Sequence, residues 1–132
     1  MKTVIDQLGG EEKVRELVER FYDLIETLPE GRHILHLHFR GHGMSHVRVE
    51  QFKFLCGFFG GPRYYAEEHG HMNLRELHDH VEIRPEDARN WLFCMDRAMT
   101  DCRIEGPVRD KLTTAFTRAA QMLVNTEPEK PV

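Results

Sequence analysis

An all-α fold is predicted by three observations. Apolar residues recur at three- and four-residue spacing, glycine and proline clusters interrupt them, and no useful stretch shows the period-two alternation of a strand. The first stripe is Val14, Leu17, Val18, Phe21, Leu24, Ile25 and Leu28, set between the Gly9-Gly10 break and Pro29 with Gly31. Residues 32–44 are rich in histidine and glycine around Ile34, Leu35, Leu37 and Phe39, which suits short helical turns and a loop. Ser45 is placed to cap a helix running to about Phe59, with Val47, Gln51, Phe54, Leu55 and Phe58 on one face. Gly60-Gly61-Pro62 stops that helix, because proline has no N–H to continue the ladder, and a loop is expected through Gly70.

A short helix is expected over 74–80. Pro85-Glu86-Asp87 then opens a longer one, proline fitting the first turn and the acids its positive end. Its apolar stripe is Trp91, Leu92, Met95, Ala98, Met99 and Cys102. Gly106-Pro107 separates it from a last helix with Val108, Leu112, Ala115, Phe116, Ala119 and Leu123 on one face, and a flexible tail is expected from 126.

The 132 residues suit a single domain spanning 1–132, with a core of its own. A net charge of -4 gives no general attraction to nucleic acid or to an anionic membrane. No stretch approaches the roughly 20 apolar residues of a membrane span, and the start lacks a basic region followed by an apolar one, so a cytoplasmic protein is expected. Cys56, Cys94 and Cys102 fall inside apolar helical patterns and read as reduced core thiols. The nine histidines crowd between 33 and 80, which marks that region for metal binding or pH sensing.

Polar groups on apolar faces are the candidates for chemistry: Gln51, His78 and Trp91, with Tyr22 beside the core residue Phe21. Singly, each has an ordinary explanation. Tyr22 and Trp91 suit a core or its boundary, Gln51 a bond to neighbouring backbone, and His78 the surface.

The surrounding motifs change that balance. Leu8-Gly9-Gly10, Phe21-Tyr22, Phe54-Leu55, Gly60-Gly61-Pro62, Tyr65, His69-Gly70-His71, Leu74-Arg75, His78, and Trp91-Leu92 with Cys94-Met95 follow one another in order, and through them the chain resembles the group II truncated hemoglobins over nearly its whole length. The resemblance implies a two-over-two helical sandwich enclosing heme b, with His78 as the axial ligand to iron. It also implies that Tyr22, His38, Gln51 and Trp91 surround the ligand on the opposite side. The corner residue is His38 by preference, with His36 the alternative, because Leu35-His36 and Leu37-His38 both fit the pattern. Where relatives carry Arg-His followed by Ala-Pro-Phe, this chain has Leu77-His78-Asp79-His80-Val81, which admits His80 as a rival ligand, although Ile83 and the distance to Trp91 favour His78. The position of the distal histidine in many globins falls at apolar Val47.

A neutral imidazole can bind iron while its other ring N–H is held by a carbonyl or carboxylate. Donors from Tyr22, Gln51 and Trp91 stabilise a bound diatomic selectively as charge moves onto it. Phe54, Leu55, Phe58, Leu74, Leu77 and Met95 are candidate pocket walls, and Arg63 or His71 candidate partners for the heme propionates. The implied function is oxygen binding and transport at a pentacoordinate iron, with carbon monoxide and nitric oxide as further ligands. Nitric oxide dioxygenation or peroxidase-type activity would draw on an unidentified electron donor, in a monomer or weak homodimer. A distal histidine, His36 or His38, binding iron in the absence of ligand is a variant of this view. One alternative is a non-heme metal protein using His36, His38, His42 and His46, the last two at helical spacing. Another is a helical interaction module without a cofactor, which leaves Gln51 in an apolar stripe without a reason.

Overall fold

Residues 3–32, 34, 44–72 and 82–124 are described by the computed structural model, and helices are the only regular elements among them. Helix α1 (Val4–Leu8) is too short to show a period in the sequence and escapes it. Thr3 caps it, its hydroxyl oxygen accepting from the Asp6 N–H at 3.3 Å. The Ile5 N–H donates to the Phe59 carbonyl at 3.0 Å, which ties this helix to a distant part of the chain.

The predicted stripe of α2 (Glu11–Thr27) is buried from Val14 to Ile25, and Tyr22 is buried with it. Leu28 leaves the helix in extended backbone and leads into a 3-10 turn, Pro29–Gly31. Gly31 is required there, because a Cβ would lie 2.2 Å from the Ile25 carbonyl oxygen.

Helix α3 spans Met44–Phe58, so Ser45 is already helical and is not the expected cap. The helix begins at least a residue earlier than the Ser-based rule placed it. The loop expected through Gly70 is also corrected, since it contains α4 (Tyr64–His69), ended by Gly70 at φ 84°. At six residues, α4 is again too short for a periodic signature. The short helix expected over 74–80, the corner over 35–43 and the tail from 126 lie outside the described residues.

Pro85 opens α5 (Pro85–Asp101) as expected. Asp87, however, acts as a local cap: its buried carboxylate accepts from the Arg84 N–H at 2.9 Å. Met95, Ala98, Met99 and Cys102 are buried along with Ala88 and Cys94, whereas Trp91 and Leu92 are half-buried. Helix α6 (Gly106–Leu123) starts at the glycine itself. It buries Leu112, Phe116 and Ala120, while Val108, Ala115, Ala119 and Leu123 are only half-buried, so the core stripe passes through Ala120 and not Ala119.

Helix α2 packs on both α3 and α5, α5 packs on α6, and α3 on α4. Two helix pairs, α2 with α3 and α5 with α6, thus meet through the α2–α5 contact. Arg20 to Asp101 at 2.7 Å joins α2 to α5 at the surface. Arg109 fastens α6 to α5, donating to the Ile104 carbonyl at 2.9 Å and to the Asp96 carboxylate at 2.6 Å. The three cysteines are buried free thiols, as expected from their positions. No described helix is long and apolar enough to cross a membrane.

Candidate functional site

The polar candidates within the described residues come from three helices: Tyr22 from α2, Gln51 from α3 and Trp91 from α5. Phe21 links two of them. Its ring centre is 5.0 Å from that of Tyr22 and 5.2 Å from that of Trp91. Trp91 in turn meets Phe116 of α6, Phe116 stacks on Phe58 of α3, and Phe58 stacks on Phe54, at centroid separations of 5.4, 5.9 and 6.1 Å. Ring contacts of this kind add about 0.5–1.5 kcal/mol each beyond burial. An unbroken aromatic chain therefore connects Tyr22, Trp91 and Phe54.

Several apolar residues on the same helices are incompletely covered. Along α3, Val47, Gln51, Phe54 and Phe58 recur at helical spacing, and all but Phe54 are half-buried. Trp91 and Leu92 of α5 and Ala115, Ala119 and Leu123 of α6 are half-buried as well. Leu55 and Met95 are buried. A large flat apolar group with a small polar partner on its face suits residues of this kind, which offer wide apolar contact and a few donors. His38, Leu74, Leu77 and His78, together with His36 and His80, lie outside the described residues.

The Tyr22 phenol is 1% exposed, and burial pushes its pKa well above the ordinary tyrosine value, so the hydroxyl keeps its proton at any physiological pH. The Arg48 guanidinium acts in the opposite direction. Arg48 is the residue that sequence reasoning missed. One turn before Gln51, it reaches α2 with the Cζ atom 5.9 Å from the centre of the Tyr22 ring. Its sequence trace was the acidic row Glu19, Asp23 and Glu26, spaced along one face of α2.

Among the described residues, one group has the composition of a metal site: Glu50, Glu68 and His69. The His69 Nε2 lies 2.7 Å from the Glu50 carboxylate. The Lys53 ammonium is 2.6 Å from Glu68 and 3.9 Å from Glu50, so the acids already hold a cation. This group includes none of the histidines proposed for a non-heme site. His36, His38 and His42, and the side chain of His46, lie outside the described residues. Of the two candidates for the propionates, Arg63 is exposed at the start of α4 and His71 is half-buried.

Comparison with known proteins agrees over the whole described chain. The family model of the bacterial-like globins matches residues 3–125. A group 2 truncated hemoglobin of Bacillus subtilis, YjbI, is 36% identical over 121 residues, covering 91% of this chain and 88% of its own. Among solved structures, the group II truncated hemoglobin from Bacillus anthracis superposes with a TM-score of 0.88 at 35% identity, over 98% of this chain and 95% of that one. The group II 2-on-2 hemoglobin from Agrobacterium tumefaciens gives 0.89 at 33% identity, over 96% and 97%.

Proposed function

Because the chain belongs to the bacterial-like globins as a group 2 truncated hemoglobin, we propose that it holds heme b through His78 and binds dioxygen, carbon monoxide and nitric oxide on the opposite side of a pentacoordinate iron. The globin family implies heme and a diatomic ligand. The axial residue, the type of heme and the use made of the ligand are our reading. Heme, when bound, supplies the iron at which a diatomic ligand is taken up.

The observation that carries the proposal is the aromatic chain from Tyr22 through Phe21 and Trp91 to Phe116, Phe58 and Phe54, carried by helices that also hold half-buried apolar residues. Phe54, Leu55 and Met95, with Leu74 and Leu77, exclude water from the macrocycle. Tyr22, Gln51 and Trp91 donate hydrogen bonds to the ligand, and His38 closes the corner. The retained phenol proton makes Tyr22 a donor at working pH. At about 1 kcal/mol for each net hydrogen bond, two donors slow ligand escape by a factor on the order of thirty. Such retention suits nitric oxide dioxygenation or peroxidase-type chemistry, supplied by an external electron donor, better than bulk delivery.

The test is an absorption spectrum of the purified protein, expressed with ample heme, before and after reduction and carbon monoxide. A Soret band that shifts sharply on carbon monoxide is expected. Its absence, with stoichiometric zinc in a metal analysis, would overturn the proposal in favour of the histidine-cluster alternative.

A further inference from the structure

We propose that Arg48 is a positioning residue for Tyr22: its guanidinium locks α2 against α3 and polarises the buried phenol, so that hydrogen-bond donation by Tyr22 depends on it. The inference rests on the reading of Tyr22 as a donor given above.

Three observations carry it. The first is what the guanidinium grips. One terminal nitrogen donates to the Glu19 backbone carbonyl at 3.0 Å and to the Glu19 carboxylate at 2.9 Å. The other donates to the Asp23 carboxylate at 3.0 Å and lies 3.4 Å from that of Glu26. Residues 19, 23 and 26 straddle Tyr22 on the same helix, and the carbonyl bond reaches the backbone itself. The register of α2 over α3 is thereby fixed at the turn that carries Tyr22 and one turn from Gln51.

The second observation is burial. The Arg48 side chain is only 15% exposed, against 52% for Glu19, 53% for Asp23 and 38% for Glu26. Water therefore screens the acids more than the cation. The cation's field reaches the phenol while the acids hold the guanidinium in place. The net effect on Arg48 is a raised pKa: burial lowers it, and the bonds and charges of Asp23 and Glu19 more than offset the loss.

The third is the contact itself, with the guanidinium carbon 5.9 Å from the centre of the Tyr22 ring. That is within the range over which a cation and an aromatic face attract. A nearby positive charge also favours loss of the phenol proton, which strengthens the O–H as a donor to a ligand that gains negative charge. Lysine, a point charge without the two-armed fork, cannot hold both carboxylates and the carbonyl at once.

The test compares Arg48→Gln, Arg48→Lys, Tyr22→Phe and the double variant Arg48→Gln with Tyr22→Phe, as heme-loaded proteins. Three quantities are read: the oxygen dissociation rate, the C–O stretching frequency of the carbon monoxide complex, and the Tyr22 resonance in protein labelled with 13C at the tyrosine ζ carbon. Arg48→Gln is expected to speed oxygen loss about three- to tenfold, raise the C–O frequency and shift the Tyr22 resonance, with Arg48→Lys in between. In the Tyr22→Phe background the same substitution should change the rate by less than about twofold. A merely structural clamp would disturb Gln51 and Trp91 too, so an equal rate effect in both backgrounds overturns the proposal. An unmoved Tyr22 resonance in both Arg48 variants does the same. Failure of the unsubstituted chain to show a Soret band overturns the reading of function instead, and this inference with it.

Discussion

The Trp91 indole meets the Phe116 ring edge-on, with ring centres 5.4 Å apart and planes at 63°. The contact joins half-buried Trp91 of α5 to buried Phe116 of α6. Trp91 therefore has two separable properties, ring packing and an N–H.

Replacing Trp91 with Phe keeps much of the packing against Phe21 and Phe116 and removes only the donor. Oxygen dissociation, followed by stopped-flow with carbon monoxide displacement, should accelerate about three- to tenfold, the equivalent of roughly 1 kcal/mol. Unfolding should shift far less than for a buried aromatic cut to Ala. An unchanged rate would remove the indole from the set of donors.

His78→Ala tests the proposed coordinate bond. The variant should fold yet retain little heme through gel filtration, and added imidazole should restore the spectrum of the ferrous protein. Full heme retention with an unaltered spectrum would move the axial role to another side chain, His80 first.

The three thiols give a pH prediction. Burial raises Cys56, Cys94 and Cys102 from an ordinary 9.0 to about 11. Between those values the unfolded chain has released thiol protons that the folded chain still holds, so stability falls as pH rises from 9 toward 11. Denaturation midpoints across that range should drop, and less so in a variant with all three replaced by Ala. A thiol reagent at pH 8 should label the native protein slowly and the unfolded protein fast.

Gly31→Ala puts a methyl group 2.2 Å from the Ile25 carbonyl oxygen, with the Ile25 Cα at 2.5 Å. Both are backbone atoms, so relief requires moving the end of α2. A loss of at least about 2 kcal/mol is expected in denaturant unfolding. A change within experimental error would show that the turn can open without disturbing the helix.

The long elements were legible because they carry repeating apolar faces: α2 from Val14 to Ile25, α5 from Met95 to Met99, α6 from Leu112 to Phe116. Helices α1 and α4 were not, since five or six residues hold too little of a period, and Thr3 and Gly70 signal ends without showing what lies between. Ser45 misled because a good cap residue is also tolerated inside a first turn. Of the candidate site, Tyr22, Gln51 and Trp91 stood out as polar groups in apolar stripes, and the resemblance in motifs joined them. Arg48 was hidden for the opposite reason: its partners sit some thirty positions earlier, and only the folded pairing of α2 with α3 makes one unit of them.

The bond from the Ile5 N–H to the Phe59 carbonyl has a consequence for how the chain assembles. During synthesis α1 can touch α2 at once, but its bond to the end of α3 and its contact with α6 form only after those later segments have left the ribosome. Contacts of such sequence separation slow folding relative to local ones. A change within α1 therefore also acts at the end of α3, well away in sequence from where it is made.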